Sequence, residues 1–408
     1  MIKNLSSEEI ISLTNEFVMP TYLQEITMVK GEGINLWDIK GNKYIDFTSG
    51  IAVTNIGHCH PNVLDAMHNQ AKNLMHTSNL YYNELQPQLA KKLIECAGLD
   101  SGKCFFCNSG AEANEGMIKL ARLWGSDKNK YEIITMNKSF HGRTLATLTA
   151  TGQDKVKKGF GPLPKGFVHA EYNDINSVKN LINSNTVAVM VEAVQGEGGV
   201  IPANIDFMQE LQIVCKENDI LLLCDEVQAG IGRTGKWFGF QHYDIKPDVV
   251  SLAKGLGNGF PIGAIIASGD LSNTFKPGHH ATTFGGSPLA CSVALSVIQT
   301  IENGILEHTN YIGRYLKEEL SPIISDHSEW VQDIRGIGLM IGVVLKVPAK
   351  KLQDRLLEKR LLTIATAGNI LRMLPPLIVN KEEVDHSIKI IKEVCNELHA
   401  DMLIDLKE

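Results

Sequence analysis

The sequence predicts an α/β protein that is built on a mainly parallel β-sheet. Between residues 85 and 290, short apolar runs alternate with helical stretches, and the runs end in polar or glycine-rich turns. The runs are residues 104–107, 132–136, 187–193, 220–224, 249–253 and 262–267. Continuous apolar strands joined through helices are typical of a parallel sheet covered on both faces. Ligands of such sheets bind beyond the carboxyl ends of the strands, so the residues after each run form the candidate site.

The helical segments divide the chain into regions. Residues 112–124 and 205–217 are amphipathic and predict helices between the strands, whereas residues 289–303 predict a long helix after the last strand. Helices mixed with short strands follow, the strands at residues 339–345 and 371–374. We therefore predict a large sheet domain over residues 46–295 and a smaller α+β domain over residues 296–408, which the N-terminal segment 1–45 joins.

The composition is typical of a globular protein of the cytoplasm. The 408 residues have a net charge of −7 and their basic residues are scattered, so neither nucleic acid nor an anionic membrane is an expected partner. The N-terminus lacks a secretory pattern, and the apolar runs are too short to cross a bilayer. Eight cysteines are too few for a disulfide scaffold and predict mostly buried thiols.

A turn that follows the first strand offers a phosphate site. Ser109, Gly110 and Ala111 stand where a helix is predicted to begin. They supply a hydroxyl and free backbone N–H groups at the positive end of the helix dipole, which together can cradle a phosphate. A serine that only caps the helix is the simpler interpretation of this turn when it is taken alone.

Two charged residues follow runs in the middle of the predicted sheet. Asp225 follows residues 220–224, where an acid is costly to bury unless a cation faces it; metal binding or general-base catalysis would also explain it. Lys254 follows residues 249–253, and the glycines after it leave room for a planar ligand. Because desolvation lowers the pKa of a buried lysine, its amine becomes a nucleophile for Schiff-base chemistry.

Other strand ends add complementary groups. Phe140 and Arg143 follow residues 132–136 and provide an aromatic ring for stacking and a guanidinium fork for a carboxylate. Glu192 ends another strand, and the glycine-rich turn after it contains Glu197. Thr283 lies in a threonine-rich loop that adds a hydroxyl for phosphate. Together, the phosphate cradle, aromatic ring, acid, lysine and arginine are what a pyridoxal 5′-phosphate (PLP) site requires.

Several shorter motifs lack the context that their usual functions need. Residues 230–235 match the dinucleotide motif G-x-G-x-x-G, but an aromatic, glycine-broken segment follows where a helix should begin. The same stretch fails as a phosphate-binding P-loop because Trp237 stands where Ser or Thr is needed. Cys104 and Cys107 have C-x-x-C spacing, but a strand would point them to opposite faces. Residues 58–60 read His-Cys-His without a second ligand cluster, so we predict no metal site.

Taken together, these segments resemble the class III (subgroup II) aminotransferases of PLP fold type I over nearly the whole chain, and in particular the acetylornithine aminotransferases of arginine biosynthesis. The segments that carry the resemblance include FFCNSGAEANE (105–115), SFHGRTLATLTATGQ (139–153), VEAVQGEGGVIPA (191–203), LLLCDEVQAGIGRTGKWFGFQHY (221–243), LAKGLGNGFPIGA (252–264) and TTFGGSPLAC (282–291).

The resemblance implies a role for each cofactor-site residue. Lys254 would hold PLP as a Schiff base and move a proton between substrate and cofactor, while Asp225 would keep the pyridine nitrogen protonated. The other cofactor-binding residues that it implies are Ser109, Gly110, Ala111, Phe140, Val227, Gln228 and, from the second subunit, Thr283. A homodimer with shared active sites is therefore expected.

The resemblance also implies how substrates are bound. Arg143 would hold the distal carboxylate of either substrate. Arg372 would pair with Glu197 while an ω-amine reacts, and would swing free to bind the α-carboxylate of glutamate in the other half-reaction. Tyr22 resembles the N-terminal substrate contact of the family.

The implied reaction transfers the δ-amine of N2-acetylornithine to 2-oxoglutarate. Ornithine, succinylornithine, succinyl-diaminopimelate and 4-aminobutyrate stay open as alternative donors, as does a PLP epimerase or decarboxylase on the same scaffold. Glycine after Glu197 favours the acetylornithine enzymes, because ornithine enzymes usually have alanine there. A ligand-binding relative without activity would have lost the lysine or an arginine, and both types of residue are present.

Overall fold

The computed structural model describes residues 5–99 and 101–406. Its largest sheet has seven strands and is called the central sheet below. Its strands, in spatial order, are Lys103–Cys107, Gly263–Ala267, Val249–Leu252, Leu221–Asp225, Thr186–Glu192, Glu132–Met136 and Phe167–Ala170. Neighbouring strands are parallel except at Gly263–Ala267, which is antiparallel to the strands on both sides. The predicted α/β class with a mainly parallel sheet is confirmed.

The predicted strands of this sheet are all present, each within one residue of its predicted bounds. The sequence pattern does not indicate the edge strand Phe167–Ala170, in which only Ala170 is fully buried. An edge strand has one neighbour and needs less apolar surface than a central strand, so it leaves a weaker pattern.

Side chains of the central sheet alternate between two apolar cores. On one face, Met190 and Leu223 pack in a core with the helix Gly110–Gly125. On the other face, Val191 shares a core with the helix Pro288–Glu302. The other helices around the sheet are Pro61–Asn73, Leu85–Ala97, Leu145–Ala150, Ile175–Leu181 and Ile205–Glu217, with 3-10 turns at Ser126–Lys128, Asp154–Val156, Gly239–Tyr243, Lys254–Leu256 and Gly269–Asn273. Burial on both faces explains why the strands are apolar at successive positions.

The C-terminal part contains an antiparallel sheet, the C-terminal sheet. Its strands, in spatial order, are Val331–Ile337, Met340–Leu345, Ile370–Met373 and Ile364–Thr366. The helices of this part are Ile305–Asp326, Lys350–Glu358 and Lys381–Asp405. They enclose a separate apolar core, which also contains Ile34 and Phe47 from the N-terminal part.

The N-terminal part joins the C-terminal part through a small sheet. Its elements are the helix Ser7–Phe17, the strands Met28–Glu32, Asn35–Asp38 and Lys43–Asp46, and the short helical turn Ser49–Ala52. Leu361–Leu362 pairs in parallel with Lys43–Asp46 and completes this sheet. The division at residues 45 and 295 stays a prediction, and the outermost residues of its two terminal segments lie outside the described ranges.

Within residues 5–99 and 101–406, no single helix is long and apolar enough to cross a membrane. The neighbouring helices Pro288–Glu302 and Ile305–Asp326 reach that length and composition only as a pair, and the chain bends by 63° between them.

Candidate active site

A cavity of about 400 Å³ lies at the carboxyl edge of the central sheet. The predicted site residues that line it are Ser109, Gly110, Ala111, Phe140, Arg143, Asp225, Val227, Gln228 and Lys254. Because Gly263–Ala267 runs against its neighbours, the residues before this strand reach the same edge, and Phe260 and Ile262 line the cavity as well. The topology therefore brings together side chains that are far apart in the sequence.

At the start of the helix Gly110–Gly125, Ser109 caps the helix and free backbone N–H groups face the cavity, so the capping and phosphate-cradle interpretations are compatible. Ser109 is the N-cap, and its Oγ accepts a hydrogen bond from the backbone N–H of Glu112 at 3.2 Å. The N–H groups of Gly110 and Ala111 have no acceptor within the helix, as at any helix start. A Cβ at Gly110 would lie 2.6 Å from Cγ1 of Val227, so only glycine fits there without movement. The turn presents backbone donors to the cavity at close range.

Asp225 is buried at the end of its strand and accepts three hydrogen bonds. His141 Nδ1 lies 2.7 Å from Asp225 Oδ2, and Asn114 Nδ2 donates to the same oxygen at 2.8 Å. The backbone N–H of Val227 donates to Oδ1 at 3.0 Å. Asn114 also donates to the backbone carbonyl of His141 at 2.7 Å, which ties the two donors to each other. This network fixes the orientation of the Asp225 carboxylate.

Lys254 begins the 3-10 turn after its strand in a conformation that is rare for a lysine. Its φ of 43° lies in the left-handed region, where a residue with a Cβ is strained. Burial lowers the pKa of Lys254 to about 8. Within the described residues its amine takes part in no hydrogen bond or ion pair. The structure therefore places in the cavity wall a lysine whose amine loses its proton more readily than an ordinary lysine.

Glu192 lies between Asp225 and the backbone of Phe140. It lies beside Asp225 in the register of the two parallel strands, and its Oε2 accepts a hydrogen bond from the backbone N–H of Phe140 at 3.2 Å. Burial, reinforced by the charge of Asp225, raises the pKa of Glu192 well above its usual value. The Arg143 guanidinium lies 5.5 Å from the ring centroid of Phe140 and is exposed. Phe140 is thus held by its backbone while its ring lines the cavity.

An ion pair between a buried arginine and a partly exposed glutamate lies next to this cavity. Arg372, 1% exposed, donates from Nη1 to Glu197 Oε1 at 2.6 Å and to Gln228 Oε1 at 3.1 Å. Burial alone would raise the pKa of Glu197, but the Arg372 guanidinium lowers it below its usual value. The Nε of Arg372 is buried without a hydrogen-bond partner in the described part of the chain. The guanidinium therefore retains donor capacity beyond the pair.

Besides Glu197 and Arg372, which lie next to the cavity, two more predicted residues do not line it. Tyr22 is 82% exposed, and Thr283 is exposed beside Phe284. The loop that holds Thr283 is bonded to Asn79, whose Nδ2 donates to the carbonyls of Thr282 and Gly285. These residues are not brought to the cavity within one chain.

The motifs that lacked context in the sequence have structural roles. No helix follows residues 230–235 directly; instead Arg233 is buried and donates to the carbonyls of Leu339 and Pro375. Cys104 and Cys107 pack in different cores on opposite faces of the central sheet, as alternation predicts. Among the described residues, no group of three His, Cys, Asp or Glu side chains is arranged to hold a metal ion.

Sequence reasoning missed two residues of the site, His141 and Asn114. Both lie in segments that were recognised, but neither was assigned a role. A signal was available, because a buried carboxylate at a strand end requires N–H donors. His141 lies in the loop that follows the strand Glu132–Met136, and Asn114 lies one turn into the helix that begins at Gly110.

The fold and these groups define a class of enzyme that acts through PLP. The amine of Lys254 fits the reactive carbon of that cofactor, and the carboxylate of Asp225 fits its ring nitrogen. The turn at Gly110 fits its phosphate, and the ring of Phe140 fits the face of its ring. A family model described as Aminotransferase class-III matches residues 18–395, and the chain belongs to this family of PLP-dependent aminotransferases.

Relatives match nearly the whole chain. It is 47% identical to the acetylornithine aminotransferase of Caldanaerobacter subterraneus subsp. tengcongensis, over 95% of this chain and 99% of the relative. It is 44% identical to the acetylornithine aminotransferase of Methanocaldococcus jannaschii, over 97% of this chain and 100% of the relative.

Solved structures share the fold. The ornithine aminotransferase from Toxoplasma gondii, which has partial occupancy of PLP at its active site, superposes with a TM-score of 0.93 at 29% identity, covering 97% of this chain and 96% of that one. The acetylornithine aminotransferase from Elizabethkingia anophelis gives a TM-score of 0.85 at 32% identity, covering 97% and 100%.

Proposed function

We propose that this aminotransferase transfers the δ-amino group of N2-acetylornithine to 2-oxoglutarate. The products are N-acetylglutamate 5-semialdehyde and glutamate, as arginine biosynthesis requires. The observation that carries the proposal is the pair between the buried Arg372 and the partly exposed Glu197, beside a cavity that also has the exposed guanidinium of Arg143. The names of the relatives with 42–48% identity support the choice of acetylornithine.

The cofactor roles follow from the chemistry of the lining groups. When bound, PLP supplies an electron-accepting ring that stabilises negative charge on the substrate carbon. Ser109 and the N–H groups of Gly110 and Ala111 would hold the phosphate, with Thr283 of a second copy. Phe140, Val227 and Gln228 would line the ring, and Asp225 would hold the proton on its nitrogen. Lys254 Nζ would carry the proton that leaves and rejoins the substrate carbon.

The two arginines would allow one cavity to accept two different substrates. N2-acetylornithine presents an uncharged methylene arm next to its reacting amine, so Arg372 stays paired with Glu197. Glutamate presents a carboxylate at the same position, and Arg372 would bind it in place of Glu197, because bidentate arginine–carboxylate pairs are strong. Arg143 would hold the distal carboxylate in both cases, with Tyr22 as a further substrate contact.

A homodimer in the cytoplasm completes the proposal. Thr283 is exposed and does not line the cavity of its own chain, so it would act in the site of the partner. Phe284, next to it in the chain, is 65% exposed, and Leu80 and Tyr82, in the segment whose Asn79 bonds this loop, are 85% and 107% exposed. Apolar exposure on this scale marks an interaction surface. The large domain of residues 46–295 would hold PLP, while residues 1–45 and 296–408 would close over the substrate.

A spectroscopic cycle tests this function. The holoenzyme is mixed with N2-acetylornithine alone, and we expect the cofactor absorption to convert to that of pyridoxamine phosphate. Addition of 2-oxoglutarate should restore the first spectrum and release glutamate in equal amount. Absence of the cycle with every ω-amine, or release of CO2 or of an epimer, would contradict amine transfer.

Ornithine is the second candidate donor, favoured by structural neighbours that are ornithine aminotransferases with 29–31% identity. Ornithine carries a free α-ammonium where N2-acetylornithine carries a neutral amide. A comparison of kcat/KM for ornithine, N2-acetylornithine, N2-succinylornithine and 4-aminobutyrate separates the candidates. We expect the highest value for N2-acetylornithine.

A further inference from the structure

The loop that presents Glu197 is enclosed by the C-terminal sheet. Residues 196–200 connect the short strands Val194–Gln195 and Ile201–Pro202, which pair as a hairpin. Every residue of this loop is buried except Glu197. A Cβ at Gly196 would lie 2.1 Å from Gln228 Oε1, and one at Gly198 would lie 2.7 Å from the carbonyl of Lys138. The backbone of the Glu197 loop is therefore closely packed from several directions.

Three strands of the C-terminal sheet each contribute one polar contact to this loop. Arg372 reaches the Glu197 side chain, and Thr366 Oγ1 donates to the backbone carbonyl of Glu197 at 3.0 Å. Arg335 donates from Nε at 3.0 Å and from Nη2 at 2.7 Å to the carbonyl of Gly199. Only the first of these contacts has to break when Arg372 changes its partner. The other two hold the backbone carbonyls of Glu197 and Gly199, directly after the Cα that carries the Glu197 side chain.

We propose that Thr366 and Arg335 are positioning residues for substrate discrimination: they fix the backbone of the Glu197 loop, so that the Glu197–Arg372 pair opens and closes by side-chain rotation alone. This inference rests on the two-substrate cycle proposed above. It assigns the discrimination between a methylene arm and a carboxylate to the join between the hairpin and the C-terminal sheet.

The two half-reactions should respond differently when the loop is loosened. The amine donor reacts with the pair closed, which requires the Glu197 carboxylate at its present distance from Arg372. A displaced loop would leave the buried guanidinium unpaired beside an uncharged arm, which is unfavourable. Glutamate supplies its own carboxylate to Arg372, so its half-reaction does not depend on the closed pair.

The chain offers a matched control for the threonine. Thr363 is buried only three residues before Thr366, and its hydroxyl has no hydrogen-bond partner among the described residues. The substitution Thr363→Val therefore removes no contact, whereas Thr366→Val removes the bond to the Glu197 carbonyl at the same change in shape. For Arg335, the substitution Arg335→Lys keeps a charged donor and Arg335→Met removes it.

The experiment measures both half-reactions separately on the holoenzymes by stopped-flow absorbance. We expect Thr366→Val to lower kcat/KM for N2-acetylornithine by about 3- to 10-fold, with glutamate changed less than twofold. Thr363→Val should match the wild type, and Arg335→Lys should retain more donor activity than Arg335→Met. In hydrogen–deuterium exchange, residues 195–200 should exchange faster in Thr366→Val than in Thr363→Val.

Several results would overturn the inference. Equal losses in both half-reactions would indicate a general structural role, and identical behaviour of Thr366→Val and Thr363→Val would remove any role at all. Unchanged exchange at residues 195–200 would show that the loop is not held by these bonds. If the wild type itself fails with every ω-amine, the proposed function is wrong, and this inference is wrong as well. That result is distinguishable from the others because it is seen without any variant.

Discussion

Asp225 and Arg372 are both buried charged side chains next to the same cavity, but their surroundings differ. Asp225 accepts three hydrogen bonds from Asn114, His141 and the backbone of Val227, all within the region of the central sheet. Arg372 donates from one nitrogen to two acceptors, across the join to the C-terminal sheet, and its Nε has no partner in the described residues. The difference indicates that the contacts of Asp225 are fixed, whereas Arg372 has the spare donor that the proposed exchange of partners requires.

This contrast matches the two tasks that we propose for these residues. A cofactor that stays bound through many turnovers needs a carboxylate of constant orientation, since preorganised groups act without reorganisation during the reaction. Substrates that alternate need a cation whose partner can alternate with them. The five predictions below change one side of this comparison at a time.

The largest effect is expected for Lys254→Ala, which removes the predicted proton carrier on the same side of the cavity as Asp225, where we propose that the cofactor is held. Turnover should fall by at least about 10³-fold, because both the covalent link and the acid–base group are lost. Steady-state assays of the amine transfer check this, with circular dichroism as a control for folding. Retention of full turnover without an added amine would contradict the assignment of Lys254.

Asp225→Asn should have the next largest effect. The amide preserves the shape of the side chain but removes the negative charge, so kcat should fall by about 10²- to 10³-fold in both half-reactions. Stopped-flow measurements with N2-acetylornithine and with glutamate give the two values. A loss confined to one substrate would show that Asp225 acts on that substrate and not on the cofactor.

Arg372→Met tests the proposed exchange of partners. It should lower kcat/KM for glutamate by about 10- to 100-fold, the range expected when a charged hydrogen-bonding group is lost. N2-acetylornithine should be affected less, because it brings no carboxylate to this position. The ratio of the two kcat/KM values is the measurement, and an unchanged ratio would contradict the proposed exchange of partners.

His141→Leu should have a moderate effect of about tenfold on kcat, because Asp225 keeps two of its three donors. Both half-reactions should slow together. The measurement is kcat for each, alongside the absorption spectrum of the bound cofactor. A wild-type spectrum with wild-type rates would show that His141 does not position Asp225.

The smallest effect concerns the pH dependence of cofactor uptake. A lysine with a lowered pKa is protonated, and therefore not nucleophilic, at pH values below that pKa. With a pKa of about 8 for Lys254, the rate at which the cofactor-free protein captures PLP should rise about threefold between pH 7.5 and 8.5. Stopped-flow absorbance follows the uptake. A lysine with an ordinary pKa would instead give a rate that still rises tenfold per pH unit through this range.

The sequence predicted the cofactor-site residues Asp225 and Lys254 better than the Glu197–Arg372 pair. Asp225 and Lys254 stand directly after continuous apolar strands, and a charged residue in that position is visible without a structure. Glu197 and Arg372 are 175 positions apart, and no periodicity connects a hairpin loop to a strand of another sheet. Their pairing was expected only from the family resemblance.

The remaining gaps have physical causes as well. The edge strand Phe167–Ala170 is only partly buried, so it shows no apolar run. His141 and Asn114 are chosen by the three-dimensional approach of a helix and a loop to one carboxylate, and local patterns do not record such approaches. The same holds for Thr366 and Arg335, whose contacts are to backbone carbonyls and therefore leave no complementary residue type in the sequence.

The most direct test of the whole account is to locate the lysine that binds PLP. The holoenzyme is reduced with borohydride, which makes the link between lysine and cofactor permanent, then digested and mapped by mass spectrometry. We predict a phosphopyridoxyl group on the peptide that contains Lys254, and none in the Lys254→Ala variant treated in the same way. A modified peptide from another part of the chain, or no modified peptide in the wild type, would contradict the account.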